Sequence, residues 1–187
     1  MGTQSHDRQS TRLRGYDYTR VGVYAVTICT SDRRLLFGDV FDGEMHLNEL
    51  GQIVQATWEV LPTLYPHILL DEFIVMPNHV HAIIALIGFL FAEARRDTEG
   101  VMNHDAMHDP SRSVKIDRPP PGSLGDVVRG FKARASRGIN RRRDTVGSAV
   151  WQRGYYDDII EDDAHLRNAR QYVRDNPRQW GSRHRWW

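Results

Sequence analysis

Hydrophobic residues along the chain follow two periods, one typical of strands and one typical of helices. Dense or alternating apolar and β-branched residues predict strands, whereas apolar residues three and four apart predict amphipathic helices. The predicted elements are a strand at 21–29, a hairpin at 40–46, a helix at 48–64, strands at 67–76 and 79–86, a helix at 123–140, a strand at 150–160 and a helix from 162 or 163 to 176. This order predicts an α+β, ferredoxin-like (RRM-like) antiparallel sheet with helices packed on one face, followed by a C-terminal helix.

Polar caps and prolines set the predicted ends of the helices. Asn48 and Ser123 are suited to be N-caps, because their side chains can accept from the first free backbone N–H groups. Pro62 and Pro66 are expected to end the first helix, and Pro177 the last.

The 187 residues suffice for one domain with a sizeable core. We predict a single domain at 14–180, a disordered tail at 1–13, a flexible insertion at 88–121 and a basic, aromatic tail at 181–187, whose tryptophans could stack on unpaired bases. The lone Cys29 excludes an intrachain disulfide. No apolar run resembles a signal peptide or a membrane span, so we expect a soluble, cytoplasmic protein.

A net charge of +1 conceals a strongly basic segment. Residues 111–143 contain ten basic and two acidic side chains. Such an excess of positive charge is typical of a protein that binds a polyanion, although a solvated basic helix face would show the same pattern. The candidate residues for binding such a polyanion are Arg129, Lys132, Arg134, Arg137, Arg141, Arg142 and Arg153.

Two histidines mark the most informative strand. His79 and His81 are two residues apart in an apolar run, and such residues point to the same face of a strand. That geometry suits two ligands of one metal ion, although ordinary core or edge histidines would fit the same spacing.

The C-terminal helix supplies a second pair. Tyr172 and Asn176 are four residues apart and therefore share a helix face. A tyrosine hydroxyl can act as a covalent nucleophile, and an amide oxygen can ligate a divalent cation. If this helix packs over the strand of His79 and His81, the four side chains converge on one site.

Four segments in this order resemble the IS200-like, single-tyrosine HUH transposases (Y1 transposases), and within them the REP-associated tyrosine transposase branch. The segments are Phe73-Ile74-Val75-Met76-Pro77-Asn78-His79-Val80-His81, Gly130-Phe131-Lys132, Trp151-Gln152-Arg153-Gly154-Tyr155-Tyr156-Asp157 and Tyr172-Val173-Arg174-Asp175-Asn176-Pro177. The long segment 88–121 departs from the family pattern.

The resemblance implies a function and assigns residues to it. His79, His81 and Asn176 match the ligands of a catalytic Mg²⁺ or Mn²⁺, and Tyr172 matches the nucleophile that forms a 5′-phosphotyrosine with single-stranded DNA. Asn rather than Gln at position 176 points to the REP-associated branch, whose substrates are hairpin-forming palindromic repeats. The implied enzyme nicks and transfers DNA strands as a monomer or a homodimer.

Two other functions are compatible with these features. A non-catalytic module that binds single-stranded nucleic acid could have the same fold, although its central strands would be expected to carry aromatic residues. A phosphodiesterase that uses water as nucleophile would need the metal but not the Tyr172 hydroxyl.

Overall fold

The structure, a computed structural model, describes residues 16–88 and 121–180. The two predicted tails and nearly all of the predicted insertion lie outside these ranges. The strands are β1 (Gly22–Cys29), β2 (Gly38–Phe41), β3 (Glu44–Leu47), β4 (Ile68–Met76), β5 (His79–Leu86) and β6 (Tyr156–Ile160). The α-helices are α1 (Glu49–Glu59), α2 (Leu61–Leu64), α3 (Leu124–Arg143) and α4 (Asp163–Gln179).

The main sheet has the strand order β4-β5-β1-β6, and each neighbouring pair is antiparallel. With α1 between β1 and β4 and α3 between β5 and β6, this is the predicted ferredoxin-like arrangement. The β2–β3 hairpin forms a separate two-stranded sheet, and its turn residues Asp42 and Gly43 both have positive φ, as a tight hairpin turn requires.

The two faces of the sheet carry different layers. The core lies between α1, α3 and one face, where Trp58 of α1 stacks on Phe73 of β4 and meets Phe131 of α3 edge-on. Along β5, Val80, Ala82 and Ile84 point into this core, so His79 and His81 point to the opposite face, which α4 covers.

The predicted N-caps are confirmed, but the first helix differs from its prediction. The Asn48 side chain accepts from the N–H groups of Leu50 and Gly51. The helix is interrupted at Val60, and Pro62 lies in the first turn of α2 rather than at a helix end. Proline is tolerated in a first turn because its missing N–H would have no helical partner there.

Two further boundaries were predicted wrongly. The predicted strand 150–160 is regular only from Tyr156, because Trp151 makes an isolated bridge to Thr30 and Gly154 has a φ of 106°. The last helix does not stop before Pro177 but continues to Gln179. Pro177 lies in the last turn, so its missing N–H costs a single hydrogen bond at the frayed end of the helix.

None of the helices within residues 16–88 and 121–180 is long and apolar enough to cross a membrane.

Candidate active site

The two histidines of β5 meet at their ring nitrogens. Nε2 of His79 lies 3.0 Å from Nε2 of His81, and the rings cross at 79°. Both side chains lie on the face covered by α4, and His81 is 5% exposed. The i, i+2 spacing predicted from the sequence therefore does bring two imidazoles together.

The other nitrogen of each ring has its own partner. Nδ1 of His79 lies 2.7 Å from the amide oxygen of Asn78, which only accepts, so Nδ1 carries the proton and Nε2 presents a lone pair. Nδ1 of His81 lies 2.8 Å from the hydroxyl of Thr27, the residue directly across the β1–β5 ladder. Such outer hydrogen bonds are typical of metal-binding histidines, because they orient the ring and fix its tautomer.

Burial keeps both imidazoles neutral near pH 7. It lowers the pKa of His79 to about 4, the positive charge of Arg33 acts in the same direction, and a side-chain hydrogen bond with Asn176 opposes them. Burial also lowers the pKa of His81 well below its ordinary value, with a further contribution from His79. A metal binds the neutral form of histidine, so this electrostatic environment favours ligation.

Helix α4 brings Tyr172 and Asn176 to the histidines. The ring of Tyr172 is half-buried and lies edge-on to His81, with 5.1 Å between the ring centroids. Asn176, one turn further along, is 8% exposed, and its side chain is close enough to His79 to oppose the lowering of the His79 pKa. All four residues singled out in the sequence therefore lie in one cluster.

A bulge in β4 anchors α4. The β4–β5 pairing shifts between Leu70 and Phe73, so Asp71 and Glu72 oppose a single residue of β5. Asp71 accepts two hydrogen bonds from Arg170, at 2.9 Å from Nε and 2.6 Å from Nη2, and Glu72 accepts from Arg174. These arginines are four residues apart and flank Tyr172, so the two ion pairs set the position of its helix turn over β5.

The donor set suits a divalent cation. No three histidine, cysteine, aspartate or glutamate side chains gather into a metal site within the described part of the chain. A third protein ligand beside the two imidazoles would therefore be the amide oxygen of Asn176, as the resemblance implied. Two neutral imidazoles whose Nε2 atoms lie close together, with their Nδ1 atoms engaged elsewhere, match what a metal such as Mn²⁺ requires.

Two site neighbours carry no clear sequence signal. The ring of Trp180, just beyond α4, lies 5.8 Å from that of His79 at a tilt of 34°. Asp32 and Arg33 have φ values of 54° and 52° in a turn that follows β1, and the Arg33 carbonyl accepts from the side chain of Asn78. Consecutive non-glycine residues in the left-handed region are strained, and here they bring a cation near His79.

Most of the predicted DNA-binding residues lie on α3, on the other side of the sheet from this cluster. Helix α3 packs on the core face of the sheet, opposite the two histidines, and its exposed Arg134, Arg137 and Arg141 point away from the sheet. Other members of the set have protein partners. Arg129 pairs with Asp126, Arg142 pairs with Glu49, and Lys132 donates to the carbonyls of Gln152 and Gly154, which flank the exposed Arg153.

The chain is similar to known proteins in sequence and in structure. No protein-family model matches the chain. An "Uncharacterized protein" of Haemophilus influenzae is 34% identical over 178 residues, which cover 94% of this chain and 91% of the relative. Among solved structures, the REP-associated tyrosine transposase bound to a REP hairpin superposes with a TM-score of 0.54 at 16% identity, over 91% of this chain and 74% of that one. The chain thus has the fold of that transposase, and it belongs to the same family as the Haemophilus influenzae protein.

Proposed function

We propose that this protein is a metal-dependent transposase of the HUH type that nicks single-stranded DNA and rejoins it through a 5′-phosphotyrosine on Tyr172. The observation that carries the proposal is the convergence of His79, His81, Tyr172 and Asn176 on one side of the sheet. Each pair is unremarkable alone, whereas a tyrosine edge-on to one of two adjoining neutral histidines is the arrangement that this chemistry needs.

The covalent step is a transesterification. The phenol oxygen of Tyr172 bonds to the phosphorus, and the bond from phosphorus to the 3′ oxygen breaks. The phenol proton passes to solvent, and the departing oxygen takes up a proton to become a 3′-hydroxyl. Attack by another 3′-hydroxyl reverses the step and joins a new strand, with no outside energy source.

His79, His81 and Asn176 would hold the Mg²⁺ or Mn²⁺, which, when bound, polarises the scissile phosphate. The protein's own contribution is to keep the imidazoles neutral and oriented and to hold Tyr172 next to them. The two arginine–carboxylate pairs at the β4 bulge perform the second task.

Hairpin or palindromic DNA is the substrate that the structural comparison favours. The neighbouring transposase was solved with a REP hairpin, and the fold is shared over most of this chain. The exposed arginines of α3 would add contacts to backbone phosphates. Such contacts add affinity that does not depend on the base sequence.

Covalent capture tests the proposal. The protein is mixed with labelled single-stranded hairpin DNA and Mn²⁺, and the products are separated on a denaturing gel. We expect a protease-sensitive adduct that Tyr172→Phe abolishes while its DNA binding persists, and His79→Ala should lose metal-dependent cleavage.

The other outcomes identify the alternatives. Cleavage that survives in Tyr172→Phe would indicate a phosphodiesterase that uses water. Binding to hairpins with no cleavage by the unaltered protein would indicate a nucleic-acid-binding module instead.

A further inference from the structure

A cavity of about 540 Å³ lies beside the site, between the C-terminal half of α4, the edge strand β4 and the β2–β3 hairpin. Residues 73–75 of β4 line one side, and Met45 lines the hairpin side. Gln171, Arg174 and Arg178 of α4 line another side. The volume is in the range of roughly 300–1,000 Å³ that is typical of ligand sites.

The cavity and the candidate active site share two elements. Ile74, which lines the cavity, pairs with His81 across the β4–β5 ladder. Gln171 and Arg174 lie on the same helix turn as Tyr172. A strand of DNA with its phosphate at Tyr172 would therefore reach the cavity with the nucleotides next to that phosphate.

The lining combines apolar surface with groups that read base edges. Met45 and the β4 residues offer an apolar surface, while Gln55 and Gln171 carry amides that can both donate and accept. The Gln171 amide N–H donates to Asp175 at 2.6 Å, which orients the Gln171 side chain. Arg178 is 80% exposed on its side chain and lies 3.9 Å from Asp175, so its guanidinium can turn to a phosphate.

The charge around α4 disfavours its N-terminal end as a path for the strand. The segment that leads into the helix carries four acidic residues within six positions: Asp158, Glu161, Asp162 and Asp163. These carboxylates repel a phosphate backbone at the N-terminal end of α4. In the cavity lining, Glu44 and Asp175 offset Arg174 and Arg178, and Arg174 is paired with Glu72, so the exposed Arg178 is the lining cation placed to meet a phosphate.

We propose that this cavity binds unpaired nucleobases next to the scissile phosphate and selects among them, so that it sets part of the sequence specificity. This inference rests on the proposed function and adds to it the part of the DNA substrate that the protein would recognise. Gln171 contacts a base edge, and Arg178 contacts the adjoining phosphate.

The test is a selection from a DNA library. The library has an invariant hairpin stem with a short randomised single-stranded stretch on each side, and the bound fraction is sequenced without added metal. The variants are Gln171→Ala and Arg178→Ala. The matched control is Arg167→Ala, which removes an exposed arginine of the same helix outside the cavity.

We expect the unaltered protein and Arg167→Ala to enrich the same bases at positions next to one end of the stem. Both cavity variants should lose that enrichment, and their affinity for the enriched sequence should fall about tenfold, as expected for the loss of one base contact. Equal enrichment in all four proteins, or none in the unaltered protein, would overturn the inference.

Covalent capture on the same DNA separates the two proposals. An adduct at Tyr172 without base enrichment would leave the proposed function standing and remove the cavity from it. Enrichment that depends on the cavity residues but gives no adduct would support the cavity and contradict the nicking activity.

Discussion

At the residue scale, Thr27 has the most informative position outside the four predicted site residues. Its hydroxyl can donate to Nδ1 of His81 or accept from it. When it donates, His81 carries its proton on Nε2 and can donate to Nε2 of His79. When it accepts, both Nε2 atoms present lone pairs to a metal. Rotation of the hydroxyl, together with transfer of the His81 ring proton from Nε2 to Nδ1, would prepare both histidines for a metal.

Thr27→Val should weaken Mn²⁺ binding by about tenfold or more, because loss of an outer hydrogen bond to a ligand typically has an effect of this size. Valine keeps the shape of threonine and suits a strand. Isothermal titration with Mn²⁺, in the absence of DNA, measures the change.

Thr63→Val is the control, because Thr63 is exposed and its hydroxyl donates to the carbonyl of Val60, just before α2. If both variants bound Mn²⁺ as tightly as the unaltered protein, Thr27 would have no part in a metal site.

Spacing predicted His79, His81, Tyr172 and Asn176, since each pair shares a face of one regular element. Thr27 and Trp180 could not be predicted in this way. Thr27 reaches His81 through the register of two strands that lie far apart in the chain, and Trp180 reaches His79 only because α4 continues past Pro177.

At the element scale, the position of α4 depends on the acid pair in the β4 bulge. The hydrogen bonds from Arg170 lower the pKa of Asp71 below its ordinary value of 3.8. A carboxyl whose pKa is lower in the folded state stabilises that state above its unfolded pKa, and this contribution is lost as the pH falls through the folded value.

Asp71→Asn should therefore flatten the acid side of the stability profile. We expect the free energy of unfolding of the variant to fall less steeply than that of the unaltered protein below about pH 4. Chemical denaturation over a pH series measures both profiles. The variant should also capture DNA more slowly at neutral pH, because the helix turn that carries Tyr172 is held less firmly.

Asp39→Asn, at an exposed position of the hairpin, is the control for Asp71→Asn. Parallel acid profiles for all three proteins would show that the Asp71–Arg170 pair does not stabilise the fold.

The start of α1 depends on a close backbone approach. A Cβ at Gly51 would lie 2.2 Å from the carbonyl oxygen of Phe37, which accepts from the N–H of Asn48. Gly51→Ala should lower the free energy of unfolding by about 2 kcal/mol, because a backbone group must move to make room. Gln52→Ala, at the next, exposed position, should change it by less than about 0.5 kcal/mol. Urea denaturation compares them, and equal stability of the two variants would contradict this account.

Sequence periodicity predicted most elements but not their irregular parts. Asp71 and Glu72 inside an apolar strand are the sign of the bulge in the sequence. In a regular strand adjacent side chains point to opposite faces, so one of the two acids would point into the core. The end of the strand predicted at 150–160 was right and its start wrong, because Trp151 is buried through an aromatic cluster with Phe37 and Phe131 rather than through a ladder.

At the scale of the whole molecule, chemistry and positive charge lie on opposite faces of one sheet. The histidines lie under α4, which carries Tyr172, whereas Arg134, Arg137 and Arg141 lie on the outer side of α3. The sequence predicted both features but not their placement, because the face on which a helix packs depends on chain connections rather than on its own periodicity. DNA that contacts both faces must pass around an edge of the sheet.

This separation predicts that binding and chemistry can be altered independently. The triple variant Arg134→Ala, Arg137→Ala, Arg141→Ala should bind hairpin DNA more weakly at low salt. The slope of the logarithm of its binding constant against the logarithm of salt concentration should be shallower, by the amount that corresponds to about two to three phosphate contacts. Its covalent capture should recover when the DNA concentration is raised. His79→Ala should show the reverse pattern, with an unaltered salt dependence and no capture at any DNA concentration.

Fluorescence anisotropy across a salt series measures the effect of the triple variant on binding. A triple variant with the salt dependence of the unaltered protein would show that DNA does not reach α3, and that the phosphate contacts lie on the α4 face, where Arg33 and Arg178 are candidates.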